Sequence, residues 1–344
     1  MTLKSTPNTL IDADGSPSLG RFPQTVGRIN GRETRLRTPM GGAASAFAQH
    51  FHYKQFQYFG VISDDLLIGC ALANTAWIGL AFLYVYDTRN GKLHEYTWRS
   101  PLARAMTLSE SPIEGESRFV QSGISISMGY AKQGDSLTKS LSIQCDALTL
   151  SASMTEDRDY QPMSLCTRTG INGWTYANKV AGVSVQGELQ WSGQQYSLAQ
   201  LNACGHHDFS AGYMRRETFW NWACLSGTVD GHKLGFNLSC GVNETSETEN
   251  CLWLDGKLIK LNTVRFDYNQ DDLQQAWHIS SDDNTVNITF IPEGNHQEKL
   301  NLGLFASNFN QLFGRFNGSI TLESGAALTL KDQYGFVEEQ FAKW

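Results

Sequence analysis

The chain has 344 residues, with 27 lysines and arginines against 34 aspartates and glutamates, a formal net charge of −7. A balance this acidic offers no basic stripe for a polyanion, which excludes nucleic acid as the main partner. Charged residues make up only 18% and apolar residues 41%, which excludes a largely disordered chain and leaves enough apolar surface for two ordinary domains or one large one.

The first segment, Met1 to Pro23, lacks a basic stretch followed by an apolar one, so no secretory signal is read and a cytoplasmic location is the expectation. The 7 cysteines are widely spread and contain no C-x-x-C, which is neither a disulfide framework nor a zinc site. Further on, Gln49-His-Phe-His-Tyr-Lys-Gln55 reads as extended, placing His50 and His52 on one face with Tyr53 and Lys54 beside them. His-x-His on a strand is one route to a metal, and Lys54 suits an anionic group. The uncharged run Leu66–Tyr86 is long enough to cross a bilayer, but Gly69, Asn74, Thr75 and Gly79 interrupt it. A buried hairpin turning at Ala73-Asn74-Thr75 is the preferred reading, with no membrane span. Its apolar residues on both faces predict a core on one side and a second layer or cavity on the other.

Period-two alternation then recurs: Ile124, Ile126 and Met128; Leu141, Ile143 and Cys145; Val183, Val185, Leu189 and Trp191; Val286, Ile288 and Phe290, where Pro292 is expected to end the strand. Gln297–Phe305 and Asp271–Ala276 are at most short helical turns. The fold class is all-β and antiparallel. Two stretches are alike: Gly187-Glu-Leu-Gln-Trp-Ser-Gly193 leads to Gly205-His-His-Asp208, and Gly318-Ser-Ile-Thr-Leu-Glu-Ser-Gly325 leads to Gly335-Phe-Val-Glu338. Each is a hairpin followed by Gly-x-x-acid. The repeat divides the chain into residues 1–215 and 216–344, the second of a size for one eight-stranded barrel.

The segment from Cys204 to Trp222 is densest in residues that do chemistry. On a strand His206 and Asp208 share one face, His207 takes the other, and Trp220 and Trp222 share a face. A carboxyl beside an imidazole is a general acid–base pair, and indoles can wall an apolar pocket or stabilise a cation. Tyr213 joins His206, His207 and Asp208 as a catalytic candidate, while Asn243 and Glu244 in Gly241–Glu249 could bind a polar head group. No P-loop, dinucleotide fingerprint, nucleophile elbow or HExxH is present.

Phe56-Gln-Tyr-Phe-Gly60, Gly205-His-His-Asp208, Trp220-Asn-Trp222, Gly314-Arg-Phe-Asn-Gly318 and Gly335-Phe-Val-Glu-Glu-Gln-Phe-Ala-Lys-Trp344 resemble a bacterial and fungal family described as a domain of unknown function, over nearly the whole chain. More distantly the chain is similar to the carotenoid 1,2-hydratase and AttH group of two fused lipocalin-like (calycin-like) barrels, which includes Diels–Alderase-type enzymes. That group has a Trp-Gly three residues after its Gly-x-x-Asp; here Asp208 and Gly212 match, but Ala211 replaces the tryptophan.

The resemblance implies a cavity near the barrel interface and a cofactor-independent lyase, hydratase, cyclase or isomerase. Asp208 would protonate a small apolar or isoprenoid-like unsaturated ligand. Tyr58, Trp220, Trp222 and the His52–Lys54 segment would contact it, in a monomer or homodimer. The alternatives are a carrier for an apolar ligand without chemistry, and a metal-dependent enzyme built on His50 and His52.

Overall fold

The computed structural model describes residues 3–242, 245–303 and 305–344, and it is almost entirely antiparallel β. The strands form two curled, near-closed sheets. The 14-stranded sheet takes the strands from Gly20 to Gly212, and its main path runs Lys92–Pro101, Ile78–Asp87, Leu66–Asn74, Lys54–Ile62, Cys204–Gly212, Trp174–Trp191, Leu148–Glu156, Ser136–Cys145, Ile124–Gln133, Glu114–Gln121 and Met106–Thr107. The 9-stranded sheet takes Glu217 to Lys343, with Glu217–Val229, Ala327–Lys343 and Ala306–Thr321 adjacent at its centre.

Alternation explains where each core sits. Leu66, Ile68, Cys70 and Leu72 point into the first sheet's core with Ile126, Met128 and Ile143. Leu225, Phe236, Trp277, Ile288 and Phe316 fill the second. A third apolar layer, including Leu67, Ala71, Phe82, Trp222 and Phe336, lies between the outer faces of the two sheets. The Leu66–Tyr86 run is uncharged on both faces because both are covered, and it forms the hairpin Leu66–Asn74 and Ile78–Asp87. Its turn lies slightly later than expected: Asn74 Oδ1 accepts from Ala76 N, and Ala76 takes a positive φ of 66°. No helix among the described residues is long and apolar enough to cross a membrane.

The sheets touch where side chains are smallest. A Cβ on Gly235 would come within 2.5 Å of the Ala181 and Gly182 backbone, so glycine there permits the close approach. Ser226 Oγ accepts from Gly182 N and donates to the Gly205 carbonyl, tying both sheets together.

Three local expectations are corrected. Residues 46–51 are an α-helix, not an extended segment: Ser45 caps it by accepting from Ala48 N, and the strand begins only at Lys54. Pro292 does not end its strand, which runs Val286–Asn301. A bulge between Pro292 and Gly294 absorbs the missing donor, just beyond Phe290, the last residue paired to Trp277–Ser281. The same strand takes up Gln297–Asn301, so no helical turn forms there.

Candidate functional site

Asp208 pairs across strands with Lys179 on one side and Tyr58 on the other. Cross-strand partners share a face, so all three side chains point out of the first sheet toward the second. From the second sheet, Trp222 and Glu338 are cross-strand partners, as are Gln311 and Glu338. The two outward faces enclose a cavity of about 240 Å³, lined by Tyr58, Phe82, Trp220, Trp222 and Phe309 and by the acids and Lys179.

Polar contacts at its inner end are specific. Lys179 Nζ lies 2.6 Å from Asp208 Oδ2 and 3.2 Å from Glu249 Oε2, and 6.0 Å from the centre of the Trp222 ring. Ser210 Oγ donates to the other Asp208 oxygen at 2.8 Å. Burial opposes the charge on Lys179, but the two carboxylates outweigh it and hold the ammonium above its ordinary range. Burial pushes the Asp208 carboxyl up, against the pull of Lys179. Glu338 accepts from Gln311 Nε2 at 2.5 Å and from Trp220 Nε1 at 3.4 Å. No ion pair to Glu338 is formed among the described residues, and burial pushes its carboxyl up to about 7 despite both donors. A carboxyl near neutrality can both give and take a proton at ordinary pH.

His206 sits on the same face but beneath the cavity wall, 2% exposed, with its ring 5.2 Å from Tyr58, 5.8 Å from Trp222 and 5.5 Å from Phe336. Neither ring nitrogen has a hydrogen-bond partner, and burial, then Lys179, takes its pKa down to about 3. It is a neutral aromatic spacer and does not contact Asp208 by any hydrogen bond.

The strand's other face carries the remaining candidates away from the cavity. His207 Nε2 is 3.1 Å from Tyr130 Oη inside the first sheet, and burial drives its pKa well below the ordinary value. Tyr213 donates to the Gln49 carbonyl and packs edge-on to Tyr53 and Trp174; burial pushes its phenol up to about 12. Tyr53 lies in the same core. So the structure separates His207 from Asp208, because period two sends odd and even positions of one strand to opposite faces, and it packs Tyr53 and Tyr213, just outside the strand ends, into the first sheet's core.

His52 is exposed at the helix end and is not on the cavity wall. His50 and His52 are two apart around a helical turn instead of along a strand, and among the described residues no group of three His, Cys, Asp or Glu could hold a metal ion. Lys54, Tyr58, Trp220 and Trp222 do line the cavity. Asn243 and Glu244 lie outside the described residues.

Lys179, Glu249 and Glu338 were not among the sequence candidates. Glu338 had a visible signal, since it ends the second Gly-x-x-acid. Both copies place their acid at this one cavity, and both contain a glycine with nearly the same positive φ, 125° at Gly187 and 123° at Gly318. A Cβ on either would run into partner-strand backbone.

Among solved structures the chain is similar to CghA, with a TM-score of 0.55 and 11% identity over 98% of this chain and 97% of that one. CghA with Sch210972 gives a TM-score of 0.54 at 10% identity, covering 85% of this chain and 88% of that one. A putative AttH from Nitrosomonas europaea gives 0.52 at 13% identity, covering 84% of this chain and 92% of that one. The likeness at these identities is one of fold, and it is the double-barrel fold expected above. No curated protein matches the sequence significantly. The profile described as a domain of unknown function, DUF2804, matches residues 3–344, and the chain belongs to that family.

Proposed function

We propose that this protein is a cofactor-independent enzyme of the hydratase, cyclase or isomerase type, acting on a small, largely apolar unsaturated molecule in the cavity between two domains, 1–215 and 216–344. One observation carries the reading. Glu338, a carboxyl without a cation beside it, lies in an aromatic-walled cavity whose other carboxylates are ion-paired. The fold-mates support the class: CghA holds a small organic molecule, Sch210972.

The chemistry follows from the groups. Protonated Glu338 gives its proton to one carbon of a double bond, the π electrons form the new C–H bond, and the other carbon is left cationic. Trp220, Trp222 and Tyr58 face that charge with their rings. Water or an internal hydroxyl adds its lone pair to the cation, and its released proton returns to the Glu338 carboxylate. Asp208, held by Lys179 and Ser210, stays in place as a fixed charge that favours the cation. This moves the acid role expected of Asp208 to Glu338, because Asp208 is ion-paired and Glu338 is not.

The test is to incubate the purified protein with an apolar metabolite extract and follow products by mass spectrometry. The expected result is a species gaining the mass of one water, or an isomer of unchanged mass, formed by the native protein and not by Glu338→Gln. A ligand bound stoichiometrically and released unchanged by both would favour a carrier instead.

A further inference from the structure

The cavity contains more charge than its inner end uses, and pairing off the charges leaves a residue. Lys179 is matched by Asp208 and Glu249, Arg99 by Glu298, and Lys343 by Glu217. Two cations on the wall remain without a carboxylate. Lys54 is 4% exposed, yet its Nζ donates only to the backbone carbonyls of Phe51 and Thr75, each at 2.7 Å. The Arg215 guanidinium has no hydrogen-bond or ion-pair partner among the described residues, although its backbone is fixed, with its carbonyl accepting from Trp344 Nε1 and Thr218 Oγ.

A buried ammonium satisfied by carbonyls alone is costly unless something else offsets its charge. Burial, then the nearby Arg216, takes Lys54 down to about 8, so it remains mostly charged at neutral pH. Lys54 pairs with Gly212 at one end of the strand couple whose other members include Tyr58 and Asp208. Four residues of extended strand separate Lys54 from Tyr58, about 13 Å at 3.3 Å per residue. Between them the wall carries apolar and aromatic side chains, Phe56, Ala73 and Leu80 on the first sheet and Phe309 opposite.

We propose that Lys54 and Arg215 form an anion seat at the outer end of the cavity, and that the ligand is an amphipathic acid. Its carboxylate or equivalent anion sits on these two cations, and its unsaturated part reaches the Trp222–Glu338 end. The proposal rests on the cavity being the ligand site argued above, but not on Glu338 being the acid. The two cations fit different jobs: the ammonium is a fixed point charge, while the exposed guanidinium offers a planar fork that can close on a carboxylate.

The test uses dodecanoate and its methyl ester, which share an apolar chain and differ in charge, titrated at neutral pH by tryptophan fluorescence. Dodecanoate is expected to bind at least about tenfold more tightly than the ester, the effect of one charge-assisted contact. Arg215→Ala and Lys54→Met should each reduce that preference severalfold while leaving ester binding unchanged. Lys54→Met loses one hydrogen bond at the helix end and one in the Asn74–Ile78 turn and is checked for folding by circular dichroism; Arg215 is exposed, so its variant tests the seat without that complication. Equal affinity for acid and ester, or a preference untouched by Arg215→Ala, overturns the seat. Failure of Glu338→Gln to slow turnover, with the acid preference intact, would sink the catalytic reading and leave the seat standing.

Discussion

Lys179 and Asp208 face each other across paired strands with Nζ 2.6 Å from Oδ2, and Glu249 reaches the same ammonium from the second half of the chain. One cation therefore holds two carboxylates at the join between the sheets. That arrangement makes Lys179 the keystone of the inner cavity: its ammonium is ion-paired with both acids at once.

Lys179→Met should thus cost far more than Asp208→Asn. The first leaves two buried carboxylates facing each other, a loss of about 3–5 kcal/mol for breaking a buried pair. The second leaves Lys179 with Glu249 and costs less. Because burial already pushes Asp208 up, acid should protonate the stranded Asp208 carboxyl in Lys179→Met and return part of its stability. Urea unfolding at neutral and mildly acidic pH measures both; equal losses in the two variants, or no recovery in acid, would contradict the arrangement.

Glu338 gives the opposite lever. An ordinary glutamate titrates at 4.5, and in the folded chain burial moves Glu338 to about 7. Between those values the folded state retains a proton that the unfolded chain has released. Its contribution to stability is complete below the lower value and lost as pH rises through the upper one, about 3 kcal/mol in all. Glu338→Gln cannot titrate and lacks this downward component, so its stability relative to the native protein's should increase from pH 4.5 to 7. Turnover that needs the protonated form should fall above the same upper value. Parallel melting profiles for the two proteins would remove Glu338 as the titrating group.

The fold was legible because period two is unambiguous wherever one face is buried, as in Ile124–Met128 and Val286–Phe290. The run Leu66–Tyr86 even announced a second covered face, since no polar partner alternates with its apolar residues. The site was legible only in part. Alternation correctly put His206 and Asp208 together and His207 opposite, but it says nothing of which distant strand lies across the cavity. Lys179, Glu249 and Glu338 come from three separate segments, and only the register of the sheets assembles them. His-x-His was misread because Ser45 starts a helix, and a cap four residues upstream of Gln49 was a signal left unused.

Glycine at position 60 should prove as important to the cavity floor as any polar residue. A Cβ there would fall 2.0 Å from His206 Cε1 and 2.4 Å from its Nε2, so the imidazole occupies the space a side chain would need. Gly60→Ala forces the ring off its rotamer in a filled layer, a cost of about 1–3 kcal/mol. The displaced ring lies against Tyr58 and Trp222, so apolar ligand affinity should fall together with melting temperature. Stability lost without any change in binding of a neutral apolar probe would separate His206 from the cavity wall.

His206 itself should make the protein sensitive to acid. It titrates at about 3 in the folded chain against 6.5 ordinarily, because burial disfavours the imidazolium. Above 6.5 both states are neutral and the folded state is not penalised. As pH falls toward 3 the unfolded chain binds a proton that the folded one refuses, and stability declines. This slope, which His207 shares, is opposed by that of Glu338 over the interval from 4.5 to 6.5, so the native protein's loss should be gentler there than below 4.5, where Glu338 no longer offsets it. His206→Leu removes one of the two buried histidines with a depressed pKa, His207 being the other, and so should soften the acid loss without abolishing it. Its neutral-pH stability should be unchanged or better, since two unpartnered buried nitrogens disappear. Melting curves from pH 3 to 8 for native protein, His206→Leu and Glu338→Gln would resolve the two slopes. If His206→Leu proved as acid-labile as the native chain, the imidazole would have to be protonated, and therefore partnered, in the folded state.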